Sequence, residues 1–237
     1  MHKKFTIAQA AMSAVIAAAA GALSGYLLFV RPRLKYWGAT TDEIQRTLPG
    51  DEYLSTADIE LTRAVTVKAK AAEIWPWLVQ IGQGRGGYYT YTWLENLAKL
   101  NMVNADQLHA EWQQIKAGDI IPAEPGGSGF RVRAIEPEQA LVLGGHEGEE
   151  GVTPGFTQMF PAFTWSFVLD EVDSEHTRLI TRLRAQTRPG QSPMEKLLGF
   201  CVEPGEFLLT RGMLLGIKER AERTHKQAVA GEKVTIY

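Results

Sequence analysis

The chain of 237 residues has one cysteine, Cys201. A single cysteine excludes an internal disulfide and any metal site built from several thiolates. The glycine-rich stretches carry no lysine–serine pair, and no two histidines have the H-x-x-x-H spacing. A phosphate loop and a helical zinc site are therefore not indicated, nor is a hydrolase with a G-x-S-x-G elbow. We expect no cofactor and no metal, and the sequence offers no nucleophile or acid–base pair to assign as catalytic.

The chain also lacks a cluster of basic residues. Without Lys3 and Lys4, which precede the first apolar run, 23 basic residues stand against 27 acidic ones. A mildly acidic domain of this kind is a poor candidate for nucleic-acid binding. We expect no nucleic-acid partner, and the oligomeric state stays open.

Charge is absent from the whole N-terminal stretch between Phe5 and Val30. About 20 apolar residues suffice to cross a bilayer as a helix. The sequence therefore predicts a single-pass membrane anchor over residues 1–30, with residues 5–30 in the bilayer. The flanking charges leave the side of the membrane undetermined.

A cleaved signal peptide is the alternative interpretation of this stretch. Lys3 and Lys4 fit its basic start, and Ala20-Gly21-Ala22 resembles a cleavage site. The apolar run continues past that site as LSGYLLFV, which favours the retained anchor.

Helix signals follow the anchor and recur along the chain. Thr40 and Glu43 have capping-box spacing, which predicts a short helix inside a juxtamembrane linker over 31–54. Helical spacing also covers the segments AAEIWPWLVQIG and TYTWLENLAKL. A third short helix is predicted from Asn104, with Gln107 as its partner in the cap. A long C-terminal helix should begin at Ser192 and break or bend at Pro204-Gly205, ahead of a tail over 227–237.

Strand signals dominate the second half of the chain. Apolar and polar residues alternate in DIELTRAVTVK, FRVRAIE, QALVLGG, AFTWSFVLDE and TRLITRLRAQT, and a shorter strand is expected at GDIIP. Neighbouring strands with such alternation are typical of an antiparallel sheet with one face exposed to solvent.

The element order and three segments carry a family resemblance. The segments IWPWLVQIGQGRGGYY, WLENL and MLLGIKERAER resemble the START-like helix-grip superfamily (SRPBCC, polyketide cyclase-like), in a membrane-anchored bacterial branch. The resemblance covers residues 55–226. It implies an α+β helix-grip fold, in which a curved antiparallel sheet wraps around a long C-terminal helix and leaves a cavity between them.

Three functional hypotheses follow from the resemblance. The first is a membrane-anchored domain that binds a hydrophobic or amphipathic small molecule, such as a lipid, sterol or polyketide, in the cavity. The second is an enzyme of the cyclase or aromatase type that uses the same cavity. The third is a non-catalytic membrane scaffold whose interior is fully packed.

The stretch QIGQGRGGYYTYTWLENL, residues 80–97, supplies the first candidate ligand-binding residues. Its glycines either end a helix or form a mobile rim over the cavity. In the second case Arg85, Tyr88, Tyr89 and Trp93 would lie at the rim, since amphipathic aromatic rings suit a pocket mouth or a membrane interface.

Further candidates are distributed over the predicted elements. Core packing and a cavity wall explain four aromatic residues equally well: Trp77, Phe130, Phe163 and Trp165. His146 belongs to a solvated acidic loop or donates a proton at the pocket mouth. Arg211 faces an acidic group in the cavity or extends to solvent.

Overall fold

The computed structural model describes residues 2–190, 192–231 and 236, and for residues 2–8, 16, 19 and 193–202 the backbone alone. The side chain of Cys201, and residues 232–235 and 237 of the tail predicted over 227–237, therefore lie outside the described part. Helix α7 itself continues to Val229.

Six strands form one antiparallel sheet in the order β1-β6-β5-β4-β3-β2. The alternation of apolar and polar residues placed all six strands correctly, because one face of the sheet packs on the core and the other is more polar. Their bounds are β1 Ile59–Val67, β2 Ile120–Pro122, β3 Gly129–Glu136, β4 Ala140–His146, β5 Ala162–Glu171 and β6 Thr177–Ala185.

Seven α-helices accompany the sheet in the described part of the chain. They are α1 His2–Gly25, α2 Arg31–Lys35, α3 Thr41–Gln45, α4 Ala71–Val79, α5 Thr92–Leu97, α6 Pro154–Met159 and α7 Pro193–Val229. Tyr26–Val30 forms a π-helical turn that joins α1 to α2.

Helix α7 packs on the concave face of the sheet. Met213, Leu214 and Ile217 are buried in the same cluster as Phe167 of β5. Lys218 Nζ of α7 donates to the Thr66 carbonyl of β1 over 2.7 Å. A curved antiparallel sheet that holds one long C-terminal helix is the helix-grip fold, so the expected α+β architecture is confirmed.

Helix α7 runs on through Pro204, so of the break or bend expected there the break is absent. Around that residue Glu203 pairs with Arg31, and Phe207 packs on Trp37. One helix prediction is wrong. The helix predicted from Asn104 is reduced to a 3₁₀ turn over Ala110–Trp112.

Asn104 makes other contacts that explain the missing helix. Its side chain accepts from the Tyr89 N–H over 2.8 Å and donates to the Thr90 carbonyl over 2.8 Å. It therefore stabilises the preceding loop and does not cap a helix.

Residues 39–54, which follow α2, pack on the convex face of the sheet and are named the arm. The predicted capping box of Thr40 and Glu43 is present at its start. Leu48 joins an apolar cluster with Ala64, Val168 and Ile180. Arg182 of β6 donates to Asp51 of the arm over 2.6 Å.

One helical stretch, Gln9–Lys35, is long and apolar enough to cross a membrane, and its most apolar window is not buried. A signal sequence would meet the same criterion. The end of this stretch is held against α7, because Arg31 Nη2 lies 2.6 Å from Glu203 Oε1. The rings of Trp37 and Phe207 meet edge to face at 6.3 Å.

Candidate functional site

The concave face differs between its two ends. At one end Val67, Phe167, Leu179 and Ile217 are all 0% exposed; we name this the sealed end. The other end lies two to eight residues away along the strands, where Ile59 pairs with Ala185 and Leu61 pairs with Leu183.

At that other end two inward-facing apolar side chains, Ile59 and Trp165, are only half-buried. Leu61 and Leu183 beside them are buried, at 6% and 9% exposed, which is comparable to Val65 at 8% next to Leu179. We name Ile59, Leu61, Trp165 and Leu183 the open end. Trp165 pairs with Leu183 across β5 and β6, so a ring on an inner strand of the sheet remains reachable.

Aromatic rings surround Trp165. Tyr88 stacks on it at 6.2 Å between ring centroids, and Phe130 meets it edge to face at 5.7 Å. Phe163 and Phe156 extend the set through Phe130, at 5.6 and 5.4 Å. We name these five rings the aromatic face. It brings together four of the ten predicted site residues: Tyr88, Phe130, Phe163 and Trp165.

The polar atoms of the aromatic face already have partners. Trp165 Nε1 donates to Thr181 Oγ1 over 2.9 Å, and the Tyr88 hydroxyl donates to the Pro122 carbonyl over 3.1 Å. Burial raises the pKa of Tyr88, and the nearby Glu95 carboxylate raises it further. Tyr88 therefore stays neutral at physiological pH and presents an uncharged ring.

Phe156 and Phe160 were missed by the sequence analysis. They lie on α6 or at its end, and they pack on each other at 5.2 Å. The segment reads as a glycine-rich loop because α6 has only six residues. Pro154 at its first turn was the available helix signal.

The glycine loop that precedes Tyr88 is a closed turn. Gly82 and Gly87 exchange two backbone hydrogen bonds of 2.9 Å. Arg85 donates from Nη2 to the carbonyls of Val79 and Trp112, at 3.0 and 2.7 Å. Burial lowers the pKa of Arg85. The guanidinium thus fastens the turn to its surroundings.

Trp77 and Tyr89 belong to the packing between α4 and α7. Trp77 Nε1 donates to Thr224 Oγ1 over 3.2 Å, and its ring meets Tyr89 edge to face. The Arg220 guanidinium lies over the Tyr89 ring at 4.7 Å. A Cβ on Gly216 would stand 2.7 Å from Tyr89 Cβ, so that glycine permits the close approach of α7 to this loop.

The last three predicted site residues lie elsewhere. Trp93 is on the surface, 63% exposed. Arg211 lies over the Trp37 ring at 5.2 Å. His146 borders a shallow groove of about 470 Å³ that Arg133 and Thr164 also line. The His146 side chain is 60% exposed, with Nε2 3.6 Å from Glu149.

A buried carboxyl, Glu95 on α5, was also missed. It is 6% exposed, and burial raises its pKa, an effect that the Thr90 hydroxyl reduces. The sequence analysis did not select Glu95, because a glutamate on a short amphipathic helix normally faces water. Within residues 2–190, 192–231 and 236, no group of three His, Cys, Asp or Glu side chains is placed to hold a metal ion.

Comparisons with known proteins leave the family unassigned. No family model matches the chain, and no curated protein matches it. Among solved structures, protein MLL2253 from Mesorhizobium loti aligns at 14% identity and TM-score 0.40, covering 70% of this chain and 98% of that one.

Two further solved structures align at similar levels. The di-domain ARO/CYC StfQ from the steffimycin biosynthetic pathway aligns at 10% identity and TM-score 0.40, over 74% of this chain and 54% of its own. Ginseng major latex-like protein 151 from Panax ginseng aligns at 14% identity and TM-score 0.34, over 70% of this chain and 97% of its own. Alignments this loose say nothing about the site or the function of this chain.

Proposed function

We propose that this protein is a membrane-anchored domain that binds a hydrophobic or amphipathic small molecule at the open end of its concave face. The observation that carries the proposal is the half-buried ring of Trp165 on the concave face, where Phe167, two residues away on the same strand, is 0% exposed. A ligand that covers accessible apolar surface gains about 25 cal/mol of binding free energy per Å² of apolar area removed from water.

The position of the anchor supports the same proposal. The anchor meets α7 at Glu203, one turn before Phe207 and Glu206, which contact Trp37 and Arg63. Arg63 lies on β1 between Leu61 and Val65. The open end and the docked end of the anchor are therefore neighbours, and a lipophilic molecule has a short path from the bilayer to the site.

The aromatic face favours binding over chemistry. Its indole and phenol groups bond to Thr181 and Pro122, so what it offers a ligand is ring surface. That surface suits the apolar part of a ligand. It offers no support for the cyclase or aromatase alternative.

Native mass spectrometry of the full chain, purified in detergent from the membranes of its own host, tests the proposal. We expect a stoichiometric lipophilic molecule that organic extraction releases. The matched variant is Leu183→Phe, which fills the accessible space and should lower occupancy. A wild-type chain that carries no molecule and takes up no lipophilic probe would favour the scaffold hypothesis.

A further inference from the structure

Helix α5 and the loop that follows it carry large apolar side chains on the surface. Trp93 is 63%, Leu97 is 73% and Val103 is 71% exposed. Trp93 and Leu97 are four residues apart on α5, so they lie on the same face of the helix. We name Trp93, Leu97 and Val103 the apolar patch. Single exposed apolar residues are common, but a group of them marks an interaction surface.

Contacts on the inner side of this segment hold the apolar patch outward. The Asn96 side chain accepts from the Met102 N–H over 2.6 Å and donates to the Met102 carbonyl over 3.1 Å. Met102 is 2% and Glu95 is 6% exposed. The loop is thereby fastened to α5, and Val103 stands beside the helix because it directly follows Met102. The exposure of the patch is therefore built into the fold.

The charge around the apolar patch suits a lipid surface. From Trp93 to Ala105 only two residues are charged, Glu95 and Lys99. Glu95 is buried and Lys99 is exposed, so the outward side of this segment offers apolar side chains and one cation, with no exposed carboxylate. Lysine and tryptophan both suit the membrane interface, where the ammonium group reaches lipid phosphates and the indole lies among the head groups.

Helix α7 places the apolar patch beside the helical stretch Gln9–Lys35. Tyr91, which directly precedes α5, contacts α7 at Gly212, where a Cβ would stand 3.0 Å from the Tyr91 ring. Arg211, the neighbour of Gly212, lies over the ring of Trp37, two residues after the end of that stretch. The two segments therefore flank one turn of α7, and a bilayer that holds one of them reaches the other.

The size of the apolar patch also favours a membrane over a protein partner. A stable protein interface buries roughly 800 Å² on each side, far more than three side chains supply. A bilayer needs no such area, because a chain held by an anchor is already at the surface and makes a second contact at high effective concentration.

We infer that the apolar patch lies in the head-group region of the bilayer, with the Lys99 ammonium group on lipid phosphates, as a second membrane contact beside the anchor. The inference rests on the anchoring stated in the proposed function. Tyr88 of the aromatic face precedes Trp93 by five residues, a segment that spans at most about 18 Å. The second contact therefore keeps the aromatic face close to the lipids that would supply its ligand.

A fluorophore at three positions of the full chain tests the second contact. Leu97→Cys places it in the apolar patch, Phe29→Cys in the apolar helical stretch, and Val172→Cys on an exposed turn between β5 and β6; each is made in a Cys201→Ala background. The chains are labelled with NBD and reconstituted in vesicles of phosphatidylcholine and phosphatidylglycerol, with or without spin-labelled lipid. We expect blue-shifted emission and quenching by the spin label at positions 29 and 97, and neither at position 172.

The charge of Lys99 gives a second readout. Lys99→Gln should lower the ratio of lipid-seated to unseated patch about fivefold in these vesicles, the effect of one basic residue near an anionic surface. In vesicles of phosphatidylcholine alone it should change the ratio little. The matched control, Lys68→Gln, removes an exposed lysine beside the sealed end and should leave the ratio unchanged. An unchanged ratio in Lys99→Gln would overturn the contact with lipid phosphates.

The outcomes separate this inference from the proposed function. Quenching at position 29 without quenching at position 97 overturns the second contact and leaves the anchor in place. Absence of quenching at position 29 contradicts the anchoring itself. A blue shift at position 97 without quenching assigns the patch to a protein contact, such as a second copy of the chain, and also overturns the inference. Binding of 2-naphthol, a lipophilic probe of the open end, is measured by calorimetry on the same chains and tests the ligand site separately.

Discussion

The two ends of the concave face contain similar residues and differ in how they are covered. Phe167 and Leu179 at the sealed end are 0% exposed, while Trp165, two residues from Phe167 on the same strand, is only half-buried. Ile217 of α7 closes the sealed end with its own fully buried side chain.

The sealed end is covered by apolar side chains of α7, among them Ile217. Between the two ends, in the row of Thr181 and Phe167, Arg63 of β1 pairs with Glu206 of α7 through two hydrogen bonds of 2.6 and 2.7 Å.

The largest effect we expect comes from removing a ring at the sealed end. Phe167→Ala should cost about 3–5 kcal/mol of unfolding free energy, because it leaves a cavity in a fully packed region. Trp165→Ala should cost less unfolding free energy, because the Trp165 ring is only half-buried and its removal loses less packing. Denaturant unfolding of the full chain in detergent measures both, and equal losses would contradict the distinction between the ends.

Breaking the ion pair between Arg63 and Glu206 should have the second-largest effect on stability. Glu206→Ala leaves Arg63, whose side chain is 3% exposed, without its carboxylate, and we expect a loss of about 3 kcal/mol. The double variant Arg63→Met/Glu206→Met should recover most of it. Glu147→Ala breaks an exposed pair with Arg188 and should cost less than about 1 kcal/mol. A small loss in Glu206→Ala would mean that the pair is not needed there.

Substitution by a larger side chain should affect the two ends differently, lowering stability at the sealed end and ligand binding at the open end. Leu179→Phe forces a larger ring into a filled region and should cost about 1–3 kcal/mol. Leu183→Phe has accessible space to enter, so its stability should change little while binding of 2-naphthol weakens. Thermal melts and calorimetry on the same preparations check this. A Leu183→Phe variant that binds normally would place the ligand elsewhere.

The smallest effect concerns pH and Glu95. Its folded-state pKa is raised by burial, so the unfolded chain loses that proton first as the pH rises. Stability should therefore fall as the pH climbs above the ordinary glutamate value of about 4.3. Glu95→Gln should remove this part of the pH dependence and raise the Tm at neutral pH. Parallel pH profiles of wild type and variant would contradict the buried-carboxyl description.

Sequence patterns predicted the sheet well and the site only in part. Alternation in β5 assigned Phe163 and Trp165 to one face, and the structure agrees. The pattern could not tell which of them keeps accessible surface, because that depends on α7, far away in the chain. Arg63 on β1 pairs with Glu206, which lies 143 residues further on, so no local pattern shows its partner.

Local signals failed where side chains serve distant partners. Asn104 has the residue type and spacing of a helix cap, yet it bonds to the backbone of Tyr89 and Thr90. Tyr88 and Tyr89 are adjacent in sequence and were expected to act together at a rim. The structure separates them, because Tyr89 takes a positive φ of 56° and turns to Trp77, while Tyr88 packs on Trp165.

Photo-cross-linking from two neighbouring positions on β5 tests the central claim most directly. The photoreactive residue p-benzoylphenylalanine replaces Trp165 in one full-length chain and Phe167 in another, and both are irradiated in host membranes. The account predicts a small lipophilic adduct, seen by mass spectrometry, at position 165 and none at position 167. Adducts at both positions, or at neither, would contradict a ligand site confined to the open end.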